Sequence, residues 1–269
     1  MSVVMQVSDP HFGTEQTQVV EALAALAQQQ RPDLLLLSGD ITQRARPAQF
    51  RAARAFVDRL GVPVLAIPGN HGIPLFDLWT RWRHPYAHHL AAFGPDLEPV
   101  LNTADLRVVC VNTTRPWRHK HGEVSASQID RVARAFAGAG AAQLRLVVVH
   151  QPVAVKRAED AVNLLRGAAN ALPRWADAGV DLVLGGHIHL PYVLPLHGLA
   201  RPMWAVQAGT AVSSRVRREA PNSVNLLRWG TASAPGCCRI EQWDYSADRQ
   251  AFAQVAVTEL VPARGSSAG

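Results

Sequence analysis

The chain has 269 residues, of which 48% are hydrophobic and 18% charged. That balance is ordinary for a globular soluble protein able to bury a substantial core, as one large domain or two small ones. A formal charge of +6 and a pI of about 9.9 favour anionic ligands, although a modest surplus of arginines on solvated faces explains them equally well. Three cysteines, Cys110, Cys237 and Cys238, exclude a disulfide framework and point to a reducing compartment. The opening apolar run Val3 to Val7 lacks a basic leader and is too short for a signal peptide or a membrane span, so a cytoplasmic protein without membrane attachment is expected.

In chain order, Val3 to Val7 reads as a buried strand feeding the loop Ser8-Asp9-Pro10-His11. Apolar residues at helical spacing predict a helix over Thr14 to Gln30, stopped by Arg31-Pro32. Leu34 to Leu37 is a short apolar strand closed by Ser38-Gly39-Asp40, and Pro47 opens a helix that runs to about Leu60. Val62 to Ile67 is the third strand, ending in Pro68-Gly69-Asn70-His71-Gly72. Strand and helix alternating in this way imply right-handed crossovers and a mostly parallel sheet covered on both faces. Pro74 to Phe93 is a helical excursion at the rim, holding Trp79, Trp82 and Tyr86, and Val100 to Asn112 reads as two strands around Ala104-Asp105. Ser125-Ala126-Ser127-Gln128 has the form of a capping box opening a helix to about Ala139. The strand Leu144 to Val149 ends on His150. A further helix, about Ala158 to Ala178, leads into the strand Val180 to Leu184, which stops at Gly185-Gly186-His187-Ile188-His189.

Beyond residue 190 the rhythm changes to strands without helices: Tyr192 to Leu196, Met203 to Gln207, Ser223 to Trp229, Cys238 to Tyr245 and Ala251 to Thr258. They are expected to form a second sheet packed on the first. No linker divides the chain, so residues 1–262 are expected to form one domain and 263–269 a disordered tail.

At or just beyond five predicted strand ends stand Asp9 with His11, then Asp40, Asn70 with His71, His150, and His187 with His189. Taken singly, each is more simply a turn residue, a strand end or a satisfied core histidine. Leaving His71 aside, four imidazoles, two carboxylates and one amide, with no thiolate, together suit first-row ions such as Mn, Fe or Zn. Seven ligands are too many for one tetrahedral site and suit two ions sharing a carboxylate. Asp-x-His and His-x-His on extended backbone would turn both members towards one cavity. The glycines beside Asp40, Asn70 and His187 would allow close approach of the backbone to the ions.

The set Asp9-x-His11, Gly39-Asp40, Gly69-Asn70-His71, His150 and Gly186-His187-x-His189 resembles the calcineurin-like metallophosphoesterase superfamily. Within it the chain is most similar to the bacterial class III cyclic-nucleotide and glycerophosphodiester phosphodiesterases. The resemblance implies an α/β fold, a four-layer α/β/β/α sandwich of two mixed sheets flanked by helices. It also implies one ion held by Asp9, His11, Asp40 and His189, and a second held by Asp40, Asn70, His150 and His187, with Asp40 bridging. A hydroxide bridging the ions would attack phosphorus, while His71 would contact a phosphoryl oxygen and protonate the leaving group. The family usually carries an acid after that histidine. Here the position is Gly72, so the orientation of His71 depends on another group, with Asp77 the candidate.

The loop holding Arg115, Trp117, Arg118, His119, Lys120 and His121 is a candidate phosphate grip, helped by Arg44, and is balanced against a plain solvated loop. Arg215, Arg217 and Arg218 could track a nucleic-acid backbone, but read more simply as a solvated charge run. Trp79 and Trp82 suit packing of a rim helix or a dimer contact. His84, His88 and His89 have no assignable partner, and Cys237-Cys238 reads as strand packing. The expected function is binuclear-metal-dependent hydrolysis of a small phosphodiester, foremost a cyclic nucleotide such as cAMP. A glycerophosphodiesterase or broad phosphoesterase, a DNA-repair-type nuclease, and a scaffold that lost the chemistry are the alternatives.

Overall fold

In the computed structural model, which describes residues 1–231 and 234–264, strand β1 (Ser2–Val7) sends Val3, Met5 and Val7 to one face and Val4 to the other. This period of two recurs in β2 (Leu34–Ser38), where Leu35 and Leu37 face one core and Leu34 and Leu36 another. Residues buried on both faces explain why these strands are unbroken apolar runs. Helices α1 (Thr17–Gln30) and α2 (Pro47–Leu60) cover the first face with Leu23, Leu26, Ala53, Phe56 and Val57. Pro47 stands at the start of α2, and Gly61 closes that helix in the left-handed region at φ 64°. Strand β3 (Val64–Ile67) begins two residues later than the sequence suggested, after Pro63, which lacks an N–H for a sheet ladder.

Two short helices, α3 (Leu78–Arg83) and α4 (Ala87–Phe93), replace the single rim helix, parted by Pro85. Strands β4 (Val100–Asn102), β5 (Leu106–Cys110), β6 (Leu144–Val148) and β7 (Leu182–Gly185) form a separate sheet. Its outer face, through Val109, Val147 and Val183, packs on α5 (Ala126–Phe136) and α6 (Ala168–Asp177). The Ser125–Gln128 capping box is formed in both directions. The long helix expected over 158–178 is broken into a 3-10 turn, Ala158–Asn163, and α6. Between them Leu165 N–H bonds the Pro152 carbonyl, and Gly167 takes φ 87°.

The C-terminal strands are β8 (Tyr192–Pro195), β9 (Trp204–Gln207), β10 (Ser223–Thr231), β11 (Ala234–Ser246) and β12 (Ala251–Leu260). They do not make a second sheet of their own. β10 pairs antiparallel with β1, and β11 and β12 follow it as an antiparallel meander, in the order β12-β11-β10-β1-β2-β3, whereas β9 and β8 extend the other sheet, in the order β4-β5-β6-β7-β9-β8. The first sheet therefore joins the two ends of the chain, and the second is built from its middle. The inner faces meet in one apolar layer containing Val4, Leu36, Val108, Leu146, Leu184, Leu227 and Cys238, which completes a four-layer α/β/β/α sandwich. Cys238 is buried in that layer and Cys237 is half-buried, as opposite faces of a strand require. At the C-terminus, Arg264 bonds Asp181 at 2.8 Å and lies 5.0 Å from the Trp229 ring centroid. Residues 265–269 of the expected tail lie outside the described residues. Among the described residues, no helix is long and apolar enough to cross a membrane.

Candidate active site

Asp9, His11, Asp40, Asn70, His71, His150, His187 and His189 all follow the carboxyl ends of parallel strands, where open α/β sheets place their sites. β1, β2 and β3 deliver Asp9, His11, Asp40, Asn70 and His71 from one sheet; β6 and β7 deliver His150, His187 and His189 from the other. Strand ends of both sheets converge on one cleft of about 390 Å³, whose walls include Asp40, Asn70, His71, His187 and His189.

The local backbone is not the extended one expected for Asp-x-His and His-x-His. Asp9 (φ 49°), His11 (φ 44°), Asp40 (φ 45°), His187 (φ 74°) and His189 (φ 55°) all occupy the left-handed region. Such conformations cost about 1–3 kcal/mol each in non-glycine residues and gather at functional sites. They turn each side chain sharply off its strand and into the cleft. The glycines make room for neighbouring residues of the site: a Cβ on Gly69 would strike the backbone nitrogen of Asp40, and one on Gly186 would strike Ser8 and the Asp9 carboxylate.

Two groups of side chains present one ligand atom each, all within 4.8 Å of one another: Asp9, His11 and His189, and Asp40, His150 and His187. Asp40 lies between them, with Oδ1 3.4 Å from His150 Nε2 and Oδ2 3.8 Å from His11 Nε2. Asn70 Oδ1 is 3.3 Å from His150 Nε2. Asp9 Oδ2 accepts from Ser8 Oγ at 2.6 Å and from the His187 N–H at 2.9 Å, which fixes the carboxylate. Its Oδ1, 3.2 Å from His189 Nε2, is buried without a well-formed hydrogen bond, as is His187 Nδ1. Orphaned, converging oxygen and nitrogen donors of this kind fit a divalent cation. A third grouping, His11, Asp40 and His71, converges within the same 4.8 Å, so His71 is also able to reach an ion.

Backbone carbonyls set the ring orientations. A carbonyl only accepts, so His71 Nδ1–H donates to Gln43 O (2.9 Å), His150 Nδ1–H to Ser38 O (2.9 Å) and His189 Nδ1–H to Arg215 O (2.6 Å). Each Nε2 is thereby directed into the cleft. For His71 this carbonyl does the orienting that an acid after the histidine would do. Asp77 does not: its carboxylate caps α3 by accepting from Thr80 N at 2.9 Å.

Burial and charge oppose one another in the cluster. Burial opposes ionisation of Asp40, yet the imidazoles of His150, His71 and His11 hold it well below the usual carboxylate range. For Asp9, burial is likewise outweighed, chiefly by His189. His150 is raised to about 9 because Asp40 and Asp9 overcome its desolvation, and His189 is raised by Asp9 in the same way. Burial pushes His11 and His187 down to about 3 despite the same carboxylates.

Of the proposed phosphate grip, only His119 and Lys120 line the cleft. Arg115 is taken up inside the protein, bonding Asn112 O (3.0 Å), Thr114 O (2.8 Å) and Gln128 Oε1 (2.7 Å), while Arg118 pairs with Glu123 at 2.6 Å. Arg44 lies 6.0 Å from the Phe76 ring centroid and lines a neighbouring groove instead. Arg215 and Arg217 are not a solvated basic run. Arg215 Nη1 reaches His71 Nε2 (3.1 Å), His11 Nδ1 (3.3 Å) and Gln43 Oε1 (3.0 Å), and Arg217 pairs with Asp160 at 3.0 Å. No motif marks Arg215; its only sequence signal is membership of an arginine-rich loop. His89 is buried against Phe50 and Phe93, away from the cleft.

Residues 2–191 match the family model described as calcineurin-like phosphoesterase. A probable cyclic nucleotide phosphodiesterase of Synechococcus is 28% identical over 200 residues, covering 71% of this chain and 74% of that protein. A cAMP/cGMP dual specificity phosphodiesterase of Mycobacterium tuberculosis is 28% identical over 164 residues, or 59% of this chain and 49% of that protein, so the chain spans about half the length of this relative. A dimetal phosphatase from Danio rerio superposes with a TM-score of 0.69 at 13% identity, covering 97% of this chain and 99% of that one, which shows a shared fold. Calcineurin-like phosphoesterases use a dimetal centre, which the converging donors here match. From the family match, the strand-end cluster and the sandwich that presents it, the chain belongs to the calcineurin-like phosphoesterases and is a metal-dependent phosphoester hydrolase.

Proposed function

We propose that the chain is a binuclear phosphodiesterase acting on small diesters, with a cyclic nucleotide such as cAMP the favoured substrate. The observation that carries the binuclear reading is the position of Asp40, which turns one oxygen towards each of two ligand groups. Asp9, His11, Asp40 and His189 would hold one ion, and Asp40, Asn70, His150 and His187 the other. Bound there, two cations supply charge neutralisation for the phosphoryl oxygens and lower the pKa of water towards neutrality. The ions themselves would be drawn from Fe, Mn and Zn.

The chain's own residues do the rest. Arg215, held by Gln43 and set beside His11 and His71, is positioned to bind a phosphoryl oxygen, Lys120 adds positive charge to the same wall, and His119 stands beside it. His71 presents Nε2 to the cleft with its ring fixed by Gln43, and in its protonated form it hands that proton to the departing alkoxide. The diester preference is supported by the phosphodiesterases among the similar proteins. A glycerophosphodiester is the second substrate reading, since the cleft is large enough for either alcohol.

The test is a panel on metal-reconstituted protein comprising 4-nitrophenyl phosphate, bis(4-nitrophenyl) phosphate, cAMP, glycerophosphocholine and single-stranded DNA. Higher kcat/KM on the diesters is expected, and a clear preference for the monoester would sink the diesterase reading. Asp40→Ala should lose both activity and metal; unchanged turnover would rule out the shared-carboxylate centre.

A further inference from the structure

We propose that Asp160 and Asn163 form a subsite that recognises a hydroxyl group on the alcohol portion of the ester, in the manner of a ribose or glycerol hydroxyl; this rests on reading the cleft as a phosphoester site. Both residues line that cleft together with His71, His187 and Arg215. They come from the 3-10 turn Ala158–Asn163, whose three-residue repeat stacks positions i and i+3 on one side. Asp160 is 5% exposed and Asn163 8%. One Asp160 oxygen, Oδ1, accepts from Arg217 Nη1 at 3.0 Å. Its other oxygen, Oδ2, has no partner, and neither has Asn163 Oδ1.

Buried acceptors without a donor are rare because they lose water and gain nothing in return. Among the described residues, the carboxylate and amide oxygens left in this state are Asp9 Oδ1, Asp160 Oδ2 and Asn163 Oδ1. The first belongs to the proposed ion site, and the other two belong to residues that line the same cleft. A missing partner must therefore be a donor. A second cation is a poor candidate, because the Arg217 guanidinium already neutralises Asp160 and Lys120 and Arg215 share the cleft. Uncharged O–H donors match a pair of acceptors better, and a quaternary ammonium, which has no N–H, does not match at all.

Arg217 also fixes where the subsite stands. Its Nη1 reaches the carbonyl of Ile188 at 3.4 Å, between His187 and His189, while it holds Asp160 Oδ1. The acceptor pair is thus tied to the loop that carries two of the proposed metal ligands. It reads a group at a set offset from phosphorus, and Arg217 acts as a positioning residue.

The experiment measures binding of paired phosphomonoesters to the metal-reconstituted full chain by calorimetry. One pair is glycerol 3-phosphate and propyl phosphate; the other is AMP and 2′-deoxy-AMP. The hydroxyl-bearing member of at least one pair should bind about 10-fold or more tightly, the scale of a hydrogen bond to a buried acceptor, and the pair that responds separates glycerol from ribose. Asp160→Asn keeps the bond to Arg217 but puts an amide N–H where the free acceptor stood, and Asn163→Leu removes the second acceptor. Each should bring the ratio towards one, whereas Asn163→Asp, which retains Oδ1, should preserve it. Ratios near one in both pairs for the wild type, or ratios unchanged in Asp160→Asn and Asn163→Leu, would overturn the subsite. Turnover of bis(4-nitrophenyl) phosphate is measured separately: its absence beside a persistent hydroxyl preference overturns the diesterase reading and leaves the subsite standing.

Discussion

Replacing His71 by alanine separates the two roles its position allows, proton donor and metal ligand. The half-buried ring gives Nδ1–H to the Gln43 carbonyl at 2.9 Å and faces Arg215 Nη1 with Nε2 at 3.1 Å. Truncation leaves one carbonyl without its donor, a loss of about 1 kcal/mol, against a typical total stability of about 5–15 kcal/mol. The fold should therefore persist. The Asp40 contact to the His71 backbone N–H, 2.8 Å, does not involve the ring and is retained. If His71 is the proton donor, turnover of an alkyl diester falls by about 10²–10⁴-fold, which is about 3–5 kcal/mol of barrier. A 4-nitrophenolate leaving group needs little protonation, so the loss on bis(4-nitrophenyl) phosphate should be about tenfold or less. The assay pairs kcat on cAMP and on the nitrophenyl diester with metal content by elemental analysis. Loss of one metal per chain would show that the His11, Asp40 and His71 grouping is the occupied one. An equal fall in kcat on both esters would show that His71 is not the acid.

Arg215→Ala should leave metal content unchanged and lower kcat/KM by about 10–100-fold, the worth of a charged hydrogen bond to a phosphoryl oxygen; a smaller change in kcat/KM would place the guanidinium outside the substrate's reach. Gly69→Ala and Gly72→Ala make a contrasting pair. The first drives a Cβ into the Asp40 backbone, whereas the second meets only Pro68 Cβ at 3.9 Å. Thermal unfolding should show Gly69→Ala destabilised by about 1–3 kcal/mol or more with metal affinity reduced, and Gly72→Ala near neutral; the reverse order would refute the packing account. Burial pushes His89 down to about 4 from an ordinary 6.5. The unfolded chain then binds the extra proton between those values, so the stability owed to neutral His89 is complete above about pH 6.5 and is lost as pH falls towards 4, by at most about 3 kcal/mol. Urea denaturation of EDTA-treated wild type and His89→Phe across that window should differ in slope by up to one proton, and equal slopes would refute the assignment.

What sequence could determine here was everything that depends on local order. Short apolar runs and the turn residues that close them placed β1, β2 and β6 within a residue of their ends, and the Ser125–Gln128 capping box opened α5 at Ala126. Asp9, His11, Asp40, Asn70, His71, His150, His187 and His189 were legible as a group because metal-binding residue types recur at strand termini, a property of linear order. Partnership across the chain was not legible. Strand rhythm is the same whichever sheet a strand joins, so β8 and β9 could not be separated in advance from β10, β11 and β12. Nor does a basic residue in a loop announce its partner. Arg115 and Arg44 have the composition of anion binders yet are held elsewhere, while Arg215 reaches the cleft only because the loop after β9 folds back against the loops that follow β1 and β2, where it meets Gln43. The same physics governs His71 and Gly72. A missing acid is visible in sequence, but the carbonyl that replaces it is backbone, carries no residue signature, and is brought into place by the tertiary fold alone.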